Sequence, residues 1–576
     1  MKPVIKNIIL LSLIVLVISC KNNKKNTSKN VKLTEKQQIE FSYFFYTAGK
    51  EKILGNIDEA AKLYRKCLQL DGKNTAALYE LANIFYSTSD SKNAEFLCKV
   101  ATQLDKKNEW YLLLYADILQ KNRKYNDALK VRETLIKQYP GQIDFYYDYA
   151  TALLYANKFD DAIEAYDKIE KMVGISEEII LQKQKIYIQL NKLEKAIAEM
   201  QKLIDSNPNE ARYYGMLAEL YKANNMHDQA FETYNNALKI DAENPYIHLS
   251  LSDYYRQKNE KDKSFSEIKT AFRSEELDID TKVKILINYY DVSENSKEYK
   301  VQAYELIAIL IYVHPKEAKT FSIQGDYYYR DGKLKEAREK FLLAISFDKS
   351  RLAIWEQLIL IDNELDDYGS IIAHSKDALE LFPNESKLYL FNGIANMQQK
   401  KYKEAIDMLT LGLALAVDDN KTLKGEFYAH LGDAYNRNIQ FEESDKAYEK
   451  ALEINPDNSN VLNNYSYYLS LRKEKLEKAA EMSKKSNELD KNNPSNQDTY
   501  GWILYELNKL DEAKIWIGKA VVNSENKNAV ILEHYGDVIF KLGEIEKAVE
   551  FWQNAKLIGI GSDLLEKKIN TKTLIE

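Results

Sequence analysis

Hydrophobic and polar positions follow the period of amphipathic helices along most of the chain, and this helical pattern itself recurs about every 34 residues. From about residue 37 onward, each unit contains two amphipathic stretches of about twelve to fourteen residues around a short polar turn. Three of the clearest copies are residues 211–244, 318–351 and 425–458. A fixed period in this range predicts stacked helical hairpins, each of which buries its apolar face against its neighbours.

Small residues recur at positions 8, 20 and 27 of the unit, and large apolar or aromatic residues at positions 11 and 24. In the first of these copies the small residues are Ala218, Ala230 and Ala237, and the aromatic residues are Tyr221 and Tyr234. Small residues allow the two helices of a hairpin to approach closely. The aromatic residues are expected to fill the space towards the next hairpin.

This spacing resembles the tetratricopeptide repeat. Prolines end several units at the place expected for that repeat, namely Pro140, Pro208, Pro315, Pro383 and Pro456. The resemblance extends over about nine-tenths of the chain. It implies an all-α fold, a right-handed superhelical solenoid of about fifteen helix-turn-helix repeats.

Two irregularities interrupt the period. About six residues are added near Ser274, and one residue is added around 473–477. The first irregularity predicts a boundary between an N-terminal array over 37–278 and a C-terminal array over 279–560. The alternative is one continuous superhelix with a lengthened loop. Residues 561–576 are predicted to form a capping helix.

The beginning of the chain has the features of an export signal. Lys2 and Lys6 precede a nearly apolar stretch from Ile8 to Ser19, which is too short to span a bilayer comfortably. Ser19-Cys20 resembles the end of a bacterial lipobox, which implies that residues 1–19 are removed and that Cys20 is lipid-modified. The alternative is an ordinary secretory signal beside an unrelated cysteine.

The residues after Cys20 predict where the protein is located. Residues 20–36 are polar and lysine-rich, which predicts a flexible tether after the lipidated cysteine. By analogy with bacterial sorting signals, the lack of an acidic residue after Cys20 favours the periplasmic side of the outer membrane. The segments 462–471, 498–505 and 533–537 resemble the closing repeats of tetratricopeptide lipoproteins from the Bacteroidota.

Composition and motifs argue against most chemistry. The formal net charge is -7 with both signs interspersed, which does not favour nucleic-acid binding. No phosphate-binding loop, dinucleotide fingerprint, zinc-protease motif or nucleophile elbow is present, and the six histidines lack metal-ligand spacing. The sequence therefore predicts a protein that is not an enzyme and has no metal and no cofactor. Cys67 and Cys98 are interpreted as buried packing residues, with a disulfide as the alternative.

The resemblance implies that the first helix of each repeat lines a concave surface for protein or peptide partners. Tyrosine, tryptophan and arginine dominate binding hot spots, so aromatic and charged residues at the inward positions 2, 5, 9, 12 and 13 are the candidates. The candidate partner-binding residues are Tyr79, Asn83, Tyr86, Tyr147, Tyr155, Tyr246, Asp253, Arg256, Asp326, Tyr329, Arg330, Asp433, Arg437, Tyr467, Trp502 and Tyr505. The carboxylate clamp of some tetratricopeptide domains is not supported, since Asn83 alone matches it.

These features favour a non-catalytic scaffold for protein–protein interaction, held at the membrane through Cys20. One alternative is an accessory lipoprotein of the type IX secretion or gliding machinery. Another is a peptidoglycan- or glycan-binding envelope protein that uses some of the 42 tyrosines as stacking platforms.

Overall fold

The computed structural model describes residues 33–417, 420–559 and 561–575, and all regular structure in these ranges is helical. The predicted all-α class is therefore confirmed for this part of the chain. The predicted signal peptide and Cys20 lie outside the described residues. No helix in the described ranges has the length and apolar character needed to cross a membrane.

Thirty-one helices follow one another in the described ranges. The first fourteen are α1 (Glu35–Ile53), α2 (Ile57–Leu70), α3 (Thr75–Ser87), α4 (Ser91–Leu104), α5 (Glu109–Lys121), α6 (Tyr125–Gln138), α7 (Ile143–Tyr155), α8 (Phe159–Val173), α9 (Glu177–Gln189), α10 (Leu193–Ser206), α11 (Ala211–Ala223), α12 (His227–Ile240), α13 (Pro245–Gln257) and α14 (Lys261–Arg273).

The remaining helices complete the series. They are α15 (Ile279–Glu294), α16 (Lys297–Val313), α17 (Ala318–Arg330), α18 (Leu334–Phe347), α19 (Leu352–Glu364), α20 (Tyr368–Leu381), α21 (Ser386–Gln398), α22 (Tyr402–Leu415), α23 (Lys421–Arg437), α24 (Phe441–Ile454), α25 (Ser459–Leu471), α26 (Leu476–Leu489), α27 (Pro494–Glu506), α28 (Leu510–Asn523), α29 (Ala529–Lys541), α30 (Ile545–Ile558) and α31 (Leu565–Thr571).

Consecutive helices pair as hairpins, from α1 with α2 to α11 with α12 in the first unit of the described chain and from α15 with α16 to α29 with α30 in the second. Most hairpins turn through a residue with a left-handed backbone. Asn157, Asn191, Asn225 and Asn259 hold this conformation with φ of 56°, 55°, 60° and 61°, and their numbers differ by 34. Asparagine adopts such angles more readily than most residues. The turn therefore recurs with the period of the sequence.

The predicted packing positions form the core of each hairpin. Ala218, Ala230 and Ala237 are buried, and Tyr234 at position 24 is 1% exposed. Position 24 lies against position 8 of the partner helix: a Cβ on Gly432 would come within 2.7 Å of Cε1 of Tyr448. The small residue at position 8 therefore makes room for the large one at position 24.

The extra residues near Ser274 lie in two long helices. α15 and α16 contain 16 and 17 residues, whereas α17 and α18 contain 13 and 14, a difference of six, (16 + 17) − (13 + 14). No glycine or proline interrupts residues 279–313, so nothing in the sequence ends these helices early. The 17-residue helix α23 is a further irregularity, which the repeat pattern did not predict.

Contacts divide the chain into two compact units, one ending at Tyr254 and the other beginning at Tyr255. The boundary predicted between 278 and 279 stays a prediction. Within each unit, most contacts between alternate helices join odd-numbered helices, such as α3 with α5 and α25 with α27. We call the surface formed by the odd-numbered helices the inner face.

The last helix, α31, covers the fifteenth hairpin. Nζ of Lys568 on α31 lies 2.9 Å from Oε1 of Glu533 and 2.7 Å from Oδ2 of Asp537, both on α29. The backbone N–H of Ser562 donates a hydrogen bond to Glu533. α31 therefore packs against α29, and the capping role of residues 561–576 stays a prediction.

Candidate functional site

A groove on the inner face runs across α17, α19, α21 and α23 and has a volume of about 800 Å³. Its apolar lining consists of Phe341, Leu352, Ala353, Ile354, Leu360, Leu390, Phe391 and Leu423. Its polar lining consists of Ser322, Asp326, Arg351, Glu356, Gln357, Lys387 and Glu426. We call this surface the inner groove.

The floor of the inner groove offers apolar surface to solvent. Leu360 on α19 is 40% exposed, although it is a leucine in the middle of a helix. Leu360 and Phe391 also line a smaller adjoining cavity of about 160 Å³. Ligand sites typically combine an apolar surface with a few polar groups that fix orientation, and the inner groove has this composition.

Two cations of the groove are already close to anions. Nε of Arg351 lies 3.0 Å from Oδ2 of Asp348, and Nζ of Lys387 lies 4.0 Å from Oε1 of Glu356. Burial raises the pKa of Asp326 to about 6. The groove therefore carries acidic groups beside an apolar floor.

Among the candidate residues predicted from the sequence, Asp326 lines the inner groove. Tyr329 and Arg330 lie one turn farther along α17 and make contacts within the protein. The Tyr329 hydroxyl donates to Glu364 at 2.5 Å. The Arg330 guanidinium donates to the carbonyl of Tyr290 at 2.6 Å and to Oγ of Ser293 at 2.7 Å. Arg330 therefore joins two repeats.

The N-terminal candidates Tyr79, Asn83 and Tyr86 lie half-buried on α3. The ring of Tyr79 lies 5.1 Å from that of Tyr111 on α5, between ring centroids. Nζ of Lys121 lies 4.6 Å from the centroid of the Tyr86 ring, which is a cation–π contact. Two of these three side chains therefore link neighbouring repeats.

The candidates in the middle of the first unit are more exposed. Tyr147 lies half-buried beside Tyr166, with centroids 6.4 Å apart, whereas Tyr155 is 54% exposed at the end of α7. Tyr246 is also 54% exposed.

Two further candidates lie on α13. Oδ2 of Asp253 lies 3.5 Å from Nζ of Lys222 on α11, and Arg256 is exposed near the end of α13. Unlike the residues of the inner groove, these side chains line none of the cavities described.

The C-terminal candidates lie on the odd-numbered helices α23, α25 and α27. The Asp433 carboxylate accepts hydrogen bonds from the Tyr448 hydroxyl at 2.5 Å and from Asn464 at 3.3 Å. Burial raises the pKa of Asp433. Arg437 is exposed near the end of α23, and Tyr467 is half-buried on α25.

Trp502 and Tyr505 form an aromatic cluster with His534. The Trp502 ring is stacked 4.8 Å from Tyr505 and 4.2 Å from His534, and Tyr505 is only 7% exposed. Nδ1 of His534 lies 2.9 Å from Oδ2 of Asp498. Burial alone would lower the pKa of His534, but the neighbouring Asp498 raises it. The cluster therefore joins α27 to α29.

Sequence reasoning missed most of the inner groove. Glu356, Leu360, Lys387 and Leu390 occupy the same inward positions 5, 9, 2 and 5 of their repeats that identified Asp326. The candidates were chosen by residue type, with tyrosine, tryptophan and arginine preferred. That choice excludes Leu360 and Leu390, and it also left out Glu356 and Lys387 of the same two repeats. Applying the positions to every repeat, whatever the side chain, would have found all four.

The cysteines and histidines offer no assembled reaction centre in the described chain. Cys67 and Cys98 are buried free thiols, and burial raises the pKa of Cys67 to about 11 and of Cys98 to about 12. The packing interpretation is therefore confirmed. No group of three metal-ligating side chains is found in the described ranges.

Family models match separate stretches of the chain. Models described as tetratricopeptide repeat match residues 52–74, 211–244 and 425–458, residues 153–220 and residues 447–481. A model described as anaphase-promoting complex, cyclosome, subunit 3 matches residues 87–169.

The curated relatives are similar over part of the chain. A TPR repeat-containing protein of Methanocaldococcus jannaschii, MJ1428, is 25% identical over 349 residues, which is 55% of this chain and 55% of that protein. The TPR repeat-containing protein YpiA of Bacillus subtilis is 28% identical over 24% of this chain and 32% of its own length. The chain thus spans about half or less of the length of these two relatives.

Solved structures with likeness to the chain have low sequence identity. The APC/C hetero-tetramer Cut9–Hcn1 gives 14% identity and a TM-score of 0.32 over 92% of this chain and 96% of that chain. A tetratricopeptide repeat protein from Parabacteroides merdae gives 13% identity and a TM-score of 0.38 over 44% of this chain and 98% of that chain. With the family models and the helical hairpins together, the chain contains tetratricopeptide repeats arranged as an all-α solenoid.

Proposed function

We propose that this protein is a non-catalytic scaffold for protein–protein interaction and that its inner groove holds a segment of a partner protein. The observation that carries the proposal is the groove itself, which crosses four repeats and has an exposed apolar floor beside charged groups. A groove of this length suits an extended peptide or a helix whose apolar side chains alternate with polar ones.

In-cell photo-crosslinking tests the groove directly. A photoreactive benzoylphenylalanine is placed at Leu360, on the groove floor, and as a matched control at Lys376, which is exposed on α20 outside the groove lining. We expect a discrete crosslinked protein from position 360 and none from position 376. Equal patterns at the two positions, or no adduct at position 360, would count against a partner in the inner groove.

We further propose that lipid on Cys20 holds the scaffold at the outer membrane, on the periplasmic side. Support comes from the basic start of the chain, the apolar stretch that ends at Ser19 and the absence of an acidic residue immediately after Cys20. An anchor at that point would leave a lysine-rich segment of about fifteen residues before α1.

Metabolic labelling with a clickable fatty acid tests the anchor. The wild-type chain should carry the label and sediment with outer membranes after sucrose-gradient separation. Cys20→Ser should lose the label, whereas Cys67→Ser should keep it because Cys67 is buried. A label that survives Cys20→Ser, or a wild-type chain found with inner membranes, would contradict the anchor or its location, respectively.

A further inference from the structure

Positions 9 and 24 of a repeat form a recurring pair on the inner face. Position 9 is acidic in six of the described repeats, and in four of them position 24 supplies a donor to it; the exceptions are Asp253, whose position 24 is Ile268, and Asp326. The Tyr234 hydroxyl donates to Glu219 at 2.5 Å, and the Tyr448 hydroxyl donates to Asp433 at 2.5 Å. Two further pairs are Arg132 with Asp117, at 2.7 Å, and Trp552 Nε1 with Asp537, at 2.8 Å.

The repeat of α17 and α18 breaks this pairing. Asp326 occupies position 9, but position 24 is Phe341, whose ring carries no donor. Phe341 is 1% exposed and lies beneath the inner groove. Within the described ranges, no side chain donates a hydrogen bond to the Asp326 carboxylate or forms an ion pair with it, and burial is the single cause that shifts its pKa.

The cations nearest along α17 are occupied elsewhere. Arg330, one turn after Asp326, donates to Tyr290 and Ser293 and stacks on the Tyr290 ring at 4.6 Å. Lys319, in the first turn of α17, forms an ion pair with Asp280. Neither side chain neutralises Asp326.

The rest of the inner groove does not supply a cation either. Arg351 is paired with Asp348, and Nζ of Lys387 lies 4.0 Å from Oε1 of Glu356. A half-buried carboxylate without a counter-ion is costly, and a bound cation would offset that cost. The apolar floor beside it would hold the neighbouring side chains of the same ligand.

We propose that the Asp326 carboxylate receives a lysine or arginine side chain of the partner segment, while apolar side chains of that segment lie on Leu360 and Phe391. This inference rests on the proposed function of the inner groove and specifies the partner as a segment that combines apolar residues with a basic one. Asp326 is thus the residue that determines specificity in the groove.

Two substitutions isolate this role. Asp326→Asn removes the charge, and Phe341→Tyr adds the donor that position 24 supplies to position 9 in other repeats. Tyrosine should fit, because Gly325 leaves space for Phe341 just as Gly432 leaves space for Tyr448. Leu360→Glu serves as the variant that disables the apolar floor, and Lys376→Glu serves as an exposed control outside the groove lining.

The probe is a random 16-residue peptide library displayed on phage and selected against the full chain in mild detergent. Peptides whose binding is lost with Leu360→Glu and kept with Lys376→Glu are synthesised, and their Kd is measured by fluorescence anisotropy. We expect these peptides to contain a lysine or arginine beside apolar residues. Both Asp326→Asn and Phe341→Tyr should weaken binding by about tenfold or more, as should replacing the basic residue of the peptide by glutamine.

The outcomes separate the two proposals. Peptides that depend on Leu360 but bind equally to wild type, Asp326→Asn and Phe341→Tyr would overturn the role of Asp326 and leave the groove function standing. A selection that yields no peptide dependent on Leu360 would overturn the groove function and the inference with it. Asp326→Asn and the glutamine-substituted peptide should each weaken binding. If the two changes together weaken it no more than either one alone, the result would support direct contact between Asp326 and the basic residue of the peptide.

Discussion

At the scale of single residues, the Asp326 carboxylate is partly buried, and its ionised form is therefore less stable than it would be in water. Its pKa is raised to about 6 by burial, so the folded state binds a proton more readily than the unfolded state does. A raised carboxyl pKa means that the ionised form destabilises the fold above about pH 6. This destabilisation fades as the pH falls towards the unfolded value near 4.

Asp326→Asn is therefore expected to raise the melting temperature at pH 8 and to have little effect at pH 4. The upper bound on the gain is about 3 kcal/mol, from about 1.4 kcal/mol for each pKa unit. Thermal unfolding followed by circular dichroism at pH 4, 6 and 8 measures it. Because wild type and variant are compared at each pH, the other titrating groups contribute equally to both. A variant that is less stable than wild type at pH 8 would contradict this expectation.

Asp331, five residues farther along, gives the opposite expectation. Although burial opposes it, hydrogen bonds from Lys300 and Tyr304 lower the pKa of Asp331. Nζ of Lys300 lies 2.7 Å from the carboxylate and the Tyr304 hydroxyl 2.9 Å. A lowered carboxyl pKa stabilises the fold above the unfolded value, and this stability is lost as the pH falls through the folded value. Asp331→Asn should therefore lower the melting temperature at pH 8, and the loss should shrink in acid.

The sequence predicts that Asp326 lies on the inner face, but it does not predict whether its carboxylate has a hydrogen-bond or ion-pair partner. The inward positions follow from the period alone, and they selected Asp326. Whether its carboxylate has a partner depends on Phe341, fifteen residues later, and on where the Arg330 guanidinium points. Arg330 was a candidate for the same reason as Asp326, yet its donors are used by Tyr290 and Ser293. Side-chain direction of this kind is set by packing between repeats, which the period does not encode.

At the scale of helices, the contact of position 8 with position 24 sets how closely a hairpin can pack. A Cβ on Gly536 would lie 2.6 Å from Cδ1 of Trp552 and 3.2 Å from the carbonyl oxygen of Ala548. Trp552 is fully buried, and the Ala548 carbonyl belongs to the backbone, so neither can easily move.

Gly536→Ala is therefore expected to destabilise the chain by about 1–3 kcal/mol, despite the higher helix propensity of alanine. Chemical denaturation monitored by tryptophan fluorescence measures the change. Gly141→Ala is the matched control, because nothing lies within 4 Å of a Cβ at position 141 and its backbone is not left-handed. Equal stability of the two variants would mean that the hairpin relaxes around the added methyl group.

The last helix, α31, packs on the fifteenth repeat through one buried cation and through the apolar side chains of Leu565 and Ile569. Lys568 is the cation that lies between Glu533 and Asp537, and the side chains of all three residues are no more than 6% exposed. Removing one partner from a buried ion pair typically costs about 3–5 kcal/mol, because the remaining charge stays buried.

Lys568→Met should therefore release α31 and expose the last hairpin to protease. Lys556→Met is the control, since Lys556 on α30 pairs with Glu566 of α31 at the surface, where an ion pair contributes only about 0–1 kcal/mol. Limited proteolysis followed by mass spectrometry should give early cleavage around residues 559–575 for Lys568→Met alone. Identical digestion of both variants would show that α31 is held by its apolar contacts.

Helices of regular length could be predicted from the sequence, whereas the longer helices could not. The helices of 13 and 14 residues follow from the amphipathic pattern and from the small residues at positions 8, 20 and 27. α15 and α16 are longer because no glycine or proline ends them, whereas α23 is long although it contains Gly425 and Gly432. A search for a fixed period reports such additions as gaps rather than as helix. The extra residues near Ser274 therefore indicate a boundary between two arrays, or a lengthened loop, and neither interpretation predicts longer helices.

At the scale of the whole molecule, the described helices do not share a single core. Every pair of described helices with substantial contact is one or two helices apart in the sequence. Buried side chains accordingly fall into several separate clusters, one around Tyr166 and Met200 and another around Ile517 and Trp552. Stability in such an array is approximately the sum of each repeat and its nearest-neighbour contacts.

A local perturbation should therefore remain local, in contrast to a globular domain that unfolds as one unit. Gly536→Ala is expected to speed amide hydrogen exchange in α27–α31 and to leave α1–α13 at wild-type rates. Ala162→Leu, which overfills a fully buried position on α8, should do the reverse. Hydrogen exchange read by mass spectrometry resolves both regions in one experiment. Faster exchange at both ends in either variant would mean that the repeats are coupled over a longer range than their contacts, and it would locate that coupling in the helices between.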